Sequence, residues 1–367
     1  MSWKILNKIL KDFKHSAPLL SIIVLLCLTV SRAWAEDGVK GGSSDVALAD
    51  SIVKYQMASG GWAKNQDWLK GCDRKYMEEC FRTGVGSTID NGATTSELKT
   101  LARVMRQEGK EDARYRAAFV RGVQYLLTMQ YGNGGWPQFF PPRAEESYAN
   151  HITFNDEAMV RVMRLLWDVA ERRGDVGSVT VPDNMPQACR LAFWRGVGCI
   201  LRCQIRDREG RLTVWCQQHD EVTLKPASAR RYELASYCGS GETVGILTLL
   251  MDILDSHPDF YGTGISEKEL RNSIGCAVQW LELHPIRDMR IEEFVNAEGR
   301  PDKRMVPSAG APLLWARYYD LENAQPLYSD RRGLPLSDFN SIEFERRNGY
   351  QWVGDSPQRV ILRWRNH

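Results

Sequence analysis

Three stretches of the chain gather the polar residues that chemistry would need. The first joins Lys64 and Asn65 to Thr88, Asp90, Asn91 and Thr94. The second runs from Asn133 and Gln138 to His151, Thr153, Asn155 and Asp156. The third runs from Gln217, Gln218, His219, Asp220 and Glu221 to Lys225, Arg230, Arg231 and Glu233. Carboxylates and amides drawn from several loops are hard oxygen donors, the set that suits Ca²⁺, which takes about six to eight oxygens. Asp90, Asp156 and Asp220 are the acids expected to meet at one end of the molecule. Asp156 stands just before an apolar helical run and would serve equally as its N-cap, so capping and ligation both remain open there. Asp90 precedes its helix by several residues and is less readily a cap. His219 fits a packed, hydrogen-bonded histidine as well as a catalytic one.

Helices must carry these loops. Thr94 and Glu97 have the spacing of a capping box and are followed by Leu98, Leu101, Val104 and Met105 on one face. Residues 117–130 place Val120, Val123, Leu126 and Leu127 together. Residues 156–170 do the same with Met159, Val160, Met163, Leu166 and Val169. Further helices are expected over about 185–208, 242–255 and 266–282, and alternating strand patterns are scarce. An internal repeat orders them. Gln56 precedes Gly60-Gly61-Trp62, Gln130 precedes Gly134-Gly135-Trp136, and Gln204 precedes a weaker copy ending at Trp215. The tryptophans are 74 and then 79 residues apart. Repeated helix pairs bury their apolar faces against neighbours. The expectation is an all-α chain, an (α/α) toroid or barrel of helix pairs whose long loops form a cleft. The glycines and tryptophans of the repeat also have a purely structural reading, as a tight turn and a plug between helix ends.

Of 367 residues, 43% are hydrophobic and 26% charged, and the net charge is +2. That composition argues against disorder and against a multispanning membrane protein. It also shows no basic field that would attract nucleic acid. Residues 1–35 have the pattern of an export signal: Lys4, Lys8, Lys11 and Lys14, an apolar run from Ala17 to Val30, then Ala33-Trp34-Ala35. The run is shorter than the ~20 residues needed to span a bilayer. Without residues 1–35 the chain has 43 basic and 45 acidic residues, a net charge of −2. Residues 36–45 read as a flexible lead-in, and 46–367 as one domain, expected to be monomeric. Eight cysteines follow the leader. Cys72 and Cys80 are the pair best placed for a disulfide in an oxidising compartment. Cys199 and Cys203 share one helical face, and no spacing resembles a zinc site.

Asp90-Asn91-Gly92-Ala93-Thr94-Thr95-Ser96-Glu97-Leu98, Asn133-Gly134-Gly135-Trp136-Pro137-Gln138, His151-Ile152-Thr153-Phe154-Asn155-Asp156, Trp215-Cys216-Gln217-Gln218-His219-Asp220-Glu221 and Glu345-Arg346-Arg347-Asn348-Gly349-Tyr350-Gln351-Trp352 resemble the pectate lyases of polysaccharide lyase family 10. The resemblance spans about residues 47–360. It implies Ca²⁺-assisted β-elimination on polygalacturonate or pectin by an exported enzyme, secreted or periplasmic. It further implies Asp156, Asp90 and Asn91 at the metal, Arg230 as the catalytic arginine, and Lys64, Lys225, Arg317, Arg331, Trp136 and His219 as substrate contacts. The high pKa of arginine leaves two readings of Arg230: a locally depressed base, or a cation that stabilises charge while another group or water takes the proton. Two other classes fit part of the pattern. A glycoside hydrolase would need a spaced carboxylate pair, and a non-catalytic oligogalacturonate-binding protein would need only the cleft.

Overall fold

The computed structural model describes residues 42–109, 112–143 and 147–367. The export signal expected over 1–35 lies outside them. The helices are α1 (Gly42–Lys54), α2 (Arg74–Thr83), α3 (Thr95–Gln107), α4 (Ala113–Thr128), α5 (Ala158–Ala170), α6 (Gly174–Ser178), α7 (Met185–Cys203), α8 (Gly241–Asp255), α9 (Glu267–Leu283), α10 (Phe344–Gly349) and α11 (Pro357–Arg365). Helix α1 already begins at Gly42, inside the stretch expected as a flexible lead-in. Helix α1 packs on α3 and α4, α5 on α7, and α8 on α9, with α11 against α8 and α9. An apolar core reaching from Ala49 to Ile361 fills the space between them.

The repeat has a physical basis. The indole N–H of Trp62 donates to the Ile52 carbonyl at 2.7 Å, that of Trp136 to Leu126 at 2.8 Å, and that of Trp215 to Ile200 at 2.8 Å. Each tryptophan thus satisfies a carbonyl near the end of the helix before it. The amides of Gln56, Gln130 and Gln204 bridge from their own turn to a later helix. They donate to the carbonyls of Ala118 (2.8 Å), Ala192 (2.9 Å) and Ser273 (2.9 Å). Gly60 and Gly134 are obligatory here. Their φ angles are +99° and +92°, and a Cβ would stand 2.5 Å from the Arg121 carbonyl oxygen and 2.1 Å from that of Arg195. A fourth copy follows, in which Trp315 donates to the Leu281 carbonyl at 2.8 Å. It lacks the Gly-Gly-Trp signature and so escapes a sequence search built on it.

The expectation of an all-α toroid is corrected. Between α9 and α11 the chain is mostly strand and loop. Met289–Val295 and Pro301–Pro307 form an antiparallel hairpin, with Met289 opposite Pro307 and Val295 opposite Pro301. Four further two-stranded sheets pair Ile152–Thr153 with Gln218–His219, Tyr237–Cys238 with Tyr318–Tyr319, Trp315–Ala316 with Val353–Gly354, and Tyr328–Ser329 with Pro335–Leu336. Strands of two residues cannot show an alternating pattern, and the long hairpin buries only Asp302 and Met305, so neither announces itself in hydropathy.

The capping box also lies elsewhere. Thr94 (φ +64°) makes no cap bond to α3; its hydroxyl donates to the Thr88 carbonyl at 2.8 Å and accepts the Trp62 N–H at 3.1 Å. Glu97 is buried and accepts the Trp68 indole N–H at 2.9 Å. The reciprocal box forms at Ser266 and Glu269, at the start of α9. Cys72 and Cys80 are free thiols, as are the other described cysteines, and the sulfurs of Cys199 and Cys203 are 3.9 Å apart. No helix among the described residues is long and apolar enough to cross a membrane.

Candidate active site

The four tryptophan turns converge through one backbone device. The N–H groups of Thr88, Thr153 and Cys238 donate to the carbonyls of Trp62, Trp136 and Trp215 at 3.0, 3.0 and 2.7 Å. The next residue along, Ile89, Phe154 or Gly239, donates to the carbonyl of Gln138, Gln217 or Arg317 at 3.1, 2.8 and 2.9 Å. Each unit is therefore sewn to the following one at the residue two past its tryptophan. Lys64, Gln138, Gln217 and Arg317 hold that position in the four units. Repetition of the turn is what gathers residues so distant in sequence.

Two of the turns are close relatives. Thr88-Ile89-Asp90-Asn91 and Thr153-Phe154-Asn155-Asp156 both enter a short 3₁₀ turn whose second residue is left-handed, Asn91 at φ +53° and Asp156 at φ +50°. Asn and Asp accept that region more readily than other side chains. In the first turn the buried residue is the acid, and Asp90 forms an ion pair with Lys64. In the second the buried residue is the amide. Asn155 accepts from Arg317 Nη2 at 3.0 Å, while Asp156 Oδ1 lies 3.4 Å from the same nitrogen.

Asn91 and Asp156 form the wall shared by two cavities. The smaller, about 50 Å³, is lined by Lys64, Asp90, Gln138, Asn155, Arg230 and Glu233 in addition to that wall. The larger, about 600 Å³, extends past Glu242 and Arg317. Burial pushes the Asp156 carboxyl up. Arg317 opposes the shift, and the negative charges of Glu242, Asp90 and Glu233 reinforce it. Arg317 is buried against the Glu242 carboxylate. Burial works against its charge, and Glu242 together with the Tyr318 and Tyr350 hydroxyls more than offsets that, so the guanidinium is held firmly protonated. Arg230 donates to Glu233 through Nε at 2.9 Å and Nη2 at 2.6 Å. Glu233 is 1% exposed and also accepts the Tyr350 hydroxyl at 3.2 Å. The paired carboxylate pushes the Arg230 pKa further up.

Of the residues singled out in the sequence, Lys64, Asp90, Asn91, Asp156 and Arg230 line the smaller cavity, and Arg317 reaches it through Asp156. Four stand elsewhere. Trp136 is fully buried with its N–H spent on Leu126, so it has no face for a sugar. His219 is fully buried as well. Its Nδ1 lies 2.8 Å from the Leu224 carbonyl, its Nε2 accepts the Cys216 N–H at 3.1 Å, and burial pushes its pKa down to about 4. It is therefore a neutral, fully bonded packing residue. Lys225 is exposed on the turn that closes over His219 and lines neither cavity. Arg331 is exposed and paired with Glu345 at 2.5 Å, also outside both cavities. Asp220 does not join Asp90 and Asp156 either; it lies with His151 and Glu221. Sequence reasoning missed Glu242, and it gathered Glu233, Asn155 and Gln138 among the polar loop residues without giving them a role at the site. The repeat carried a signal for Gln138, since it sits two residues past Trp136 as Lys64 sits past Trp62.

A family model for pectic acid lyase matches residues 56–361. Two solved structures share the fold with a TM-score of 0.71 at 30% identity, each over 91% of this chain. One is a family 10 polysaccharide lyase from Cellvibrio cellulosa, 95% of which is covered. The other is an aspartate-to-alanine mutant of a family 10 polysaccharide lyase from the same organism, in complex with trigalacturonic acid, with 96% covered. No curated protein matches. The chain belongs to the pectic acid lyase family.

Proposed function

We propose that this pectate lyase cleaves α-1,4-linked polygalacturonate by β-elimination in the cavity walled by Asn91 and Asp156. The observation that carries the reading is three held cations beside Asp156: Lys64 and Arg230 line the same small cavity, and Arg317 Nη2 lies 3.4 Å from its Oδ1. A uronate carboxylate is a natural guest for planar guanidinium forks. The proton to be removed, on C5, is weakly acidic because the carboxylate beside it is negatively charged. Cations at that carboxylate favour the enolate-like charge that develops on proton loss. Since Glu233 keeps Arg230 protonated, Arg230 acts as the cation at the reacting sugar, and hydroxide from solvent takes the C5 proton to become water. The C5–H electron pair forms the C4=C5 double bond, the C4–O bond breaks, and the leaving oxygen takes a proton from water.

The residues present fit Ca²⁺. Oxygen donors Asp90, Asp156, Glu233, Asn91, Asn155 and Gln138 line the smaller cavity, with no thiol or imidazole among its described residues. Three of the site's four carboxylates are already engaged by Lys64, Arg230 and Arg317. Asp156, met by Arg317 only at 3.4 Å and pushed up by burial and by like charges, has the most to gain from a further cation. Asp156 and Asn91 would hold the ion. Bound Ca²⁺ would supply a Lewis-acid charge at the substrate carboxylate. The leader pattern of residues 1–35 supports export, and amino-terminal sequencing of the secreted protein tests it.

The deciding experiment incubates the protein with polygalacturonate, with Ca²⁺ and with EGTA, and follows the ultraviolet absorbance of unsaturated product. Absorbance should rise with Ca²⁺ and stop with EGTA. A flat trace in both overturns the lyase reading, and saturated reducing ends in its place would mark a hydrolase.

A further inference from the structure

The larger cavity continues from the Asn91–Asp156 wall, away from Arg230, and its volume of about 600 Å³ is in the range of ligand sites. Two of its arginines have not been spent on structure. Arg164 and Arg363 nearby are both tied to Asp252. Arg161 and Arg359, which line the cavity, are in no ion pair among the described residues. Arg161 lies under the first turn, so that a Cβ on Gly92 would stand 2.8 Å from its Nη1, and its buried Nε has no hydrogen-bond partner. The cavity also contains an unmet acceptor. Glu242 is 2% exposed and gives one oxygen to Arg317, but its Oε2 is buried with no partner. A buried carboxylate oxygen without a donor is costly, and a ligand hydroxyl would remove that cost.

We propose that this cavity is a second uronate subsite, in which Arg161 and Arg359 bind the carboxylate of a neighbouring galacturonate residue and Glu242 Oε2 accepts from one of its hydroxyls. The inference rests on the lyase reading above and names what the enzyme recognises beyond the bond it cuts. Its physical consequence is selection for free carboxylates. A methyl ester at this position would leave both guanidiniums without an anion.

The test uses Arg161→Gln, Arg359→Gln and the double variant. Initial rates of unsaturated product are measured on de-esterified oligogalacturonates of increasing length and on a partly methyl-esterified series. In the wild type, kcat/KM should climb with chain length. The double variant should flatten that climb, losing about tenfold on the longest oligomers, mainly through KM, while discriminating less against methyl esters. Arg359 is exposed near the start of α11, so Arg359→Gln alone should show a smaller loss of the same form without any change in melting temperature. A loss equal at every length, or a wild-type length profile in the double variant, overturns the proposal. An inactive wild type on every oligomer would instead sink the lyase reading itself.

Discussion

The two left-handed turns at the site share a backbone and differ in which residue carries the charge. In Asp90-Asn91 the acid is buried and neutralised by Lys64, and the amide faces the cavities. In Asn155-Asp156 the amide is buried under Arg317, and the acid faces the cavities. The same geometry thus yields one charge fixed into the framework and one left available. What distinguishes them is a transposition of Asp and Asn between adjacent positions, together with the cation supplied two residues past Trp62 or Trp315. A carboxylate is made useful here by where its neighbour's hydrogen bonds go, more than by its own burial.

The sharpest way to break this comparison is Asp156→Asn, which makes both cavity-facing residues amides. Removing the available carboxylate should cost about 100-fold or more in kcat/KM at fixed Ca²⁺ and weaken Ca²⁺ binding measured by calorimetry, with the fold retained. Activity within a few-fold of wild type would show that the site works without the Asp156 carboxylate, which also makes no cap bond to the helix that follows. Adding Asn91→Asp to that variant sharpens the test. Position 91 has nearly the same φ and faces the same cavities, so it should recover about tenfold of the lost activity. No recovery would mean that the two turns are alike in backbone only. Asp90→Asn should be milder. It strands Lys64, whose side chain is 30% exposed, so water can screen the charge left behind. Stability should fall by about 1 kcal/mol, read as a lowered melting temperature, together with a roughly tenfold loss of activity as Lys64 loses its anchor.

The sequence made the repeats legible because their causes are local. A glutamine that must bridge helices and a tryptophan that must cap a carbonyl recur at fixed offsets, and helices α3, α4, α5, α7, α8 and α9 follow from apolar periodicity. Lys64, Asp90, Asn91 and Asp156 were readable because they stand in the polar loops that follow such turns, and Arg230 through the resemblance to the family. Glu242 was not. An acid in the first turn of α8 is what any helix favours, and only the tertiary partner Arg317, 75 residues away, gives it another meaning. Glu233 was hidden in the same way, as one residue in a charged run until Arg230 folds onto it. Trp136 and His219 were over-read, because an indole and an imidazole serve packing as often as recognition and sequence cannot say which side of a turn they occupy. The strands were under-read because most are two residues long.

The smallest effect contrasts the third turn with the fourth. Cys216 N–H donates to His219 Nε2 at 3.1 Å, and the matching Ala316 N–H donates to the Tyr319 hydroxyl at 3.0 Å. The Asp220–Lys225 and Asp320–Gln325 turns behind them make the same backbone bond at 2.9 Å. Of the two turns, the third alone contains an imidazole. The folded pKa of His219 is lowered to about 4, against about 6.5 in an unfolded chain. The unfolded state therefore binds more protons between those values, and stability falls as pH drops through that window. The contribution is full above about 6.5 and is lost by about 4, at most about 3 kcal/mol. Hydrogen exchange at pH 5 against pH 7 should show amides of residues 216–226 opening earlier, while those of 316–326 hold. Replacing His219 with Gln should lower stability at pH 7 and flatten its acid dependence. Equal loss of protection in both turns would show that acid acts on the fold through its carboxylates and not through this imidazole.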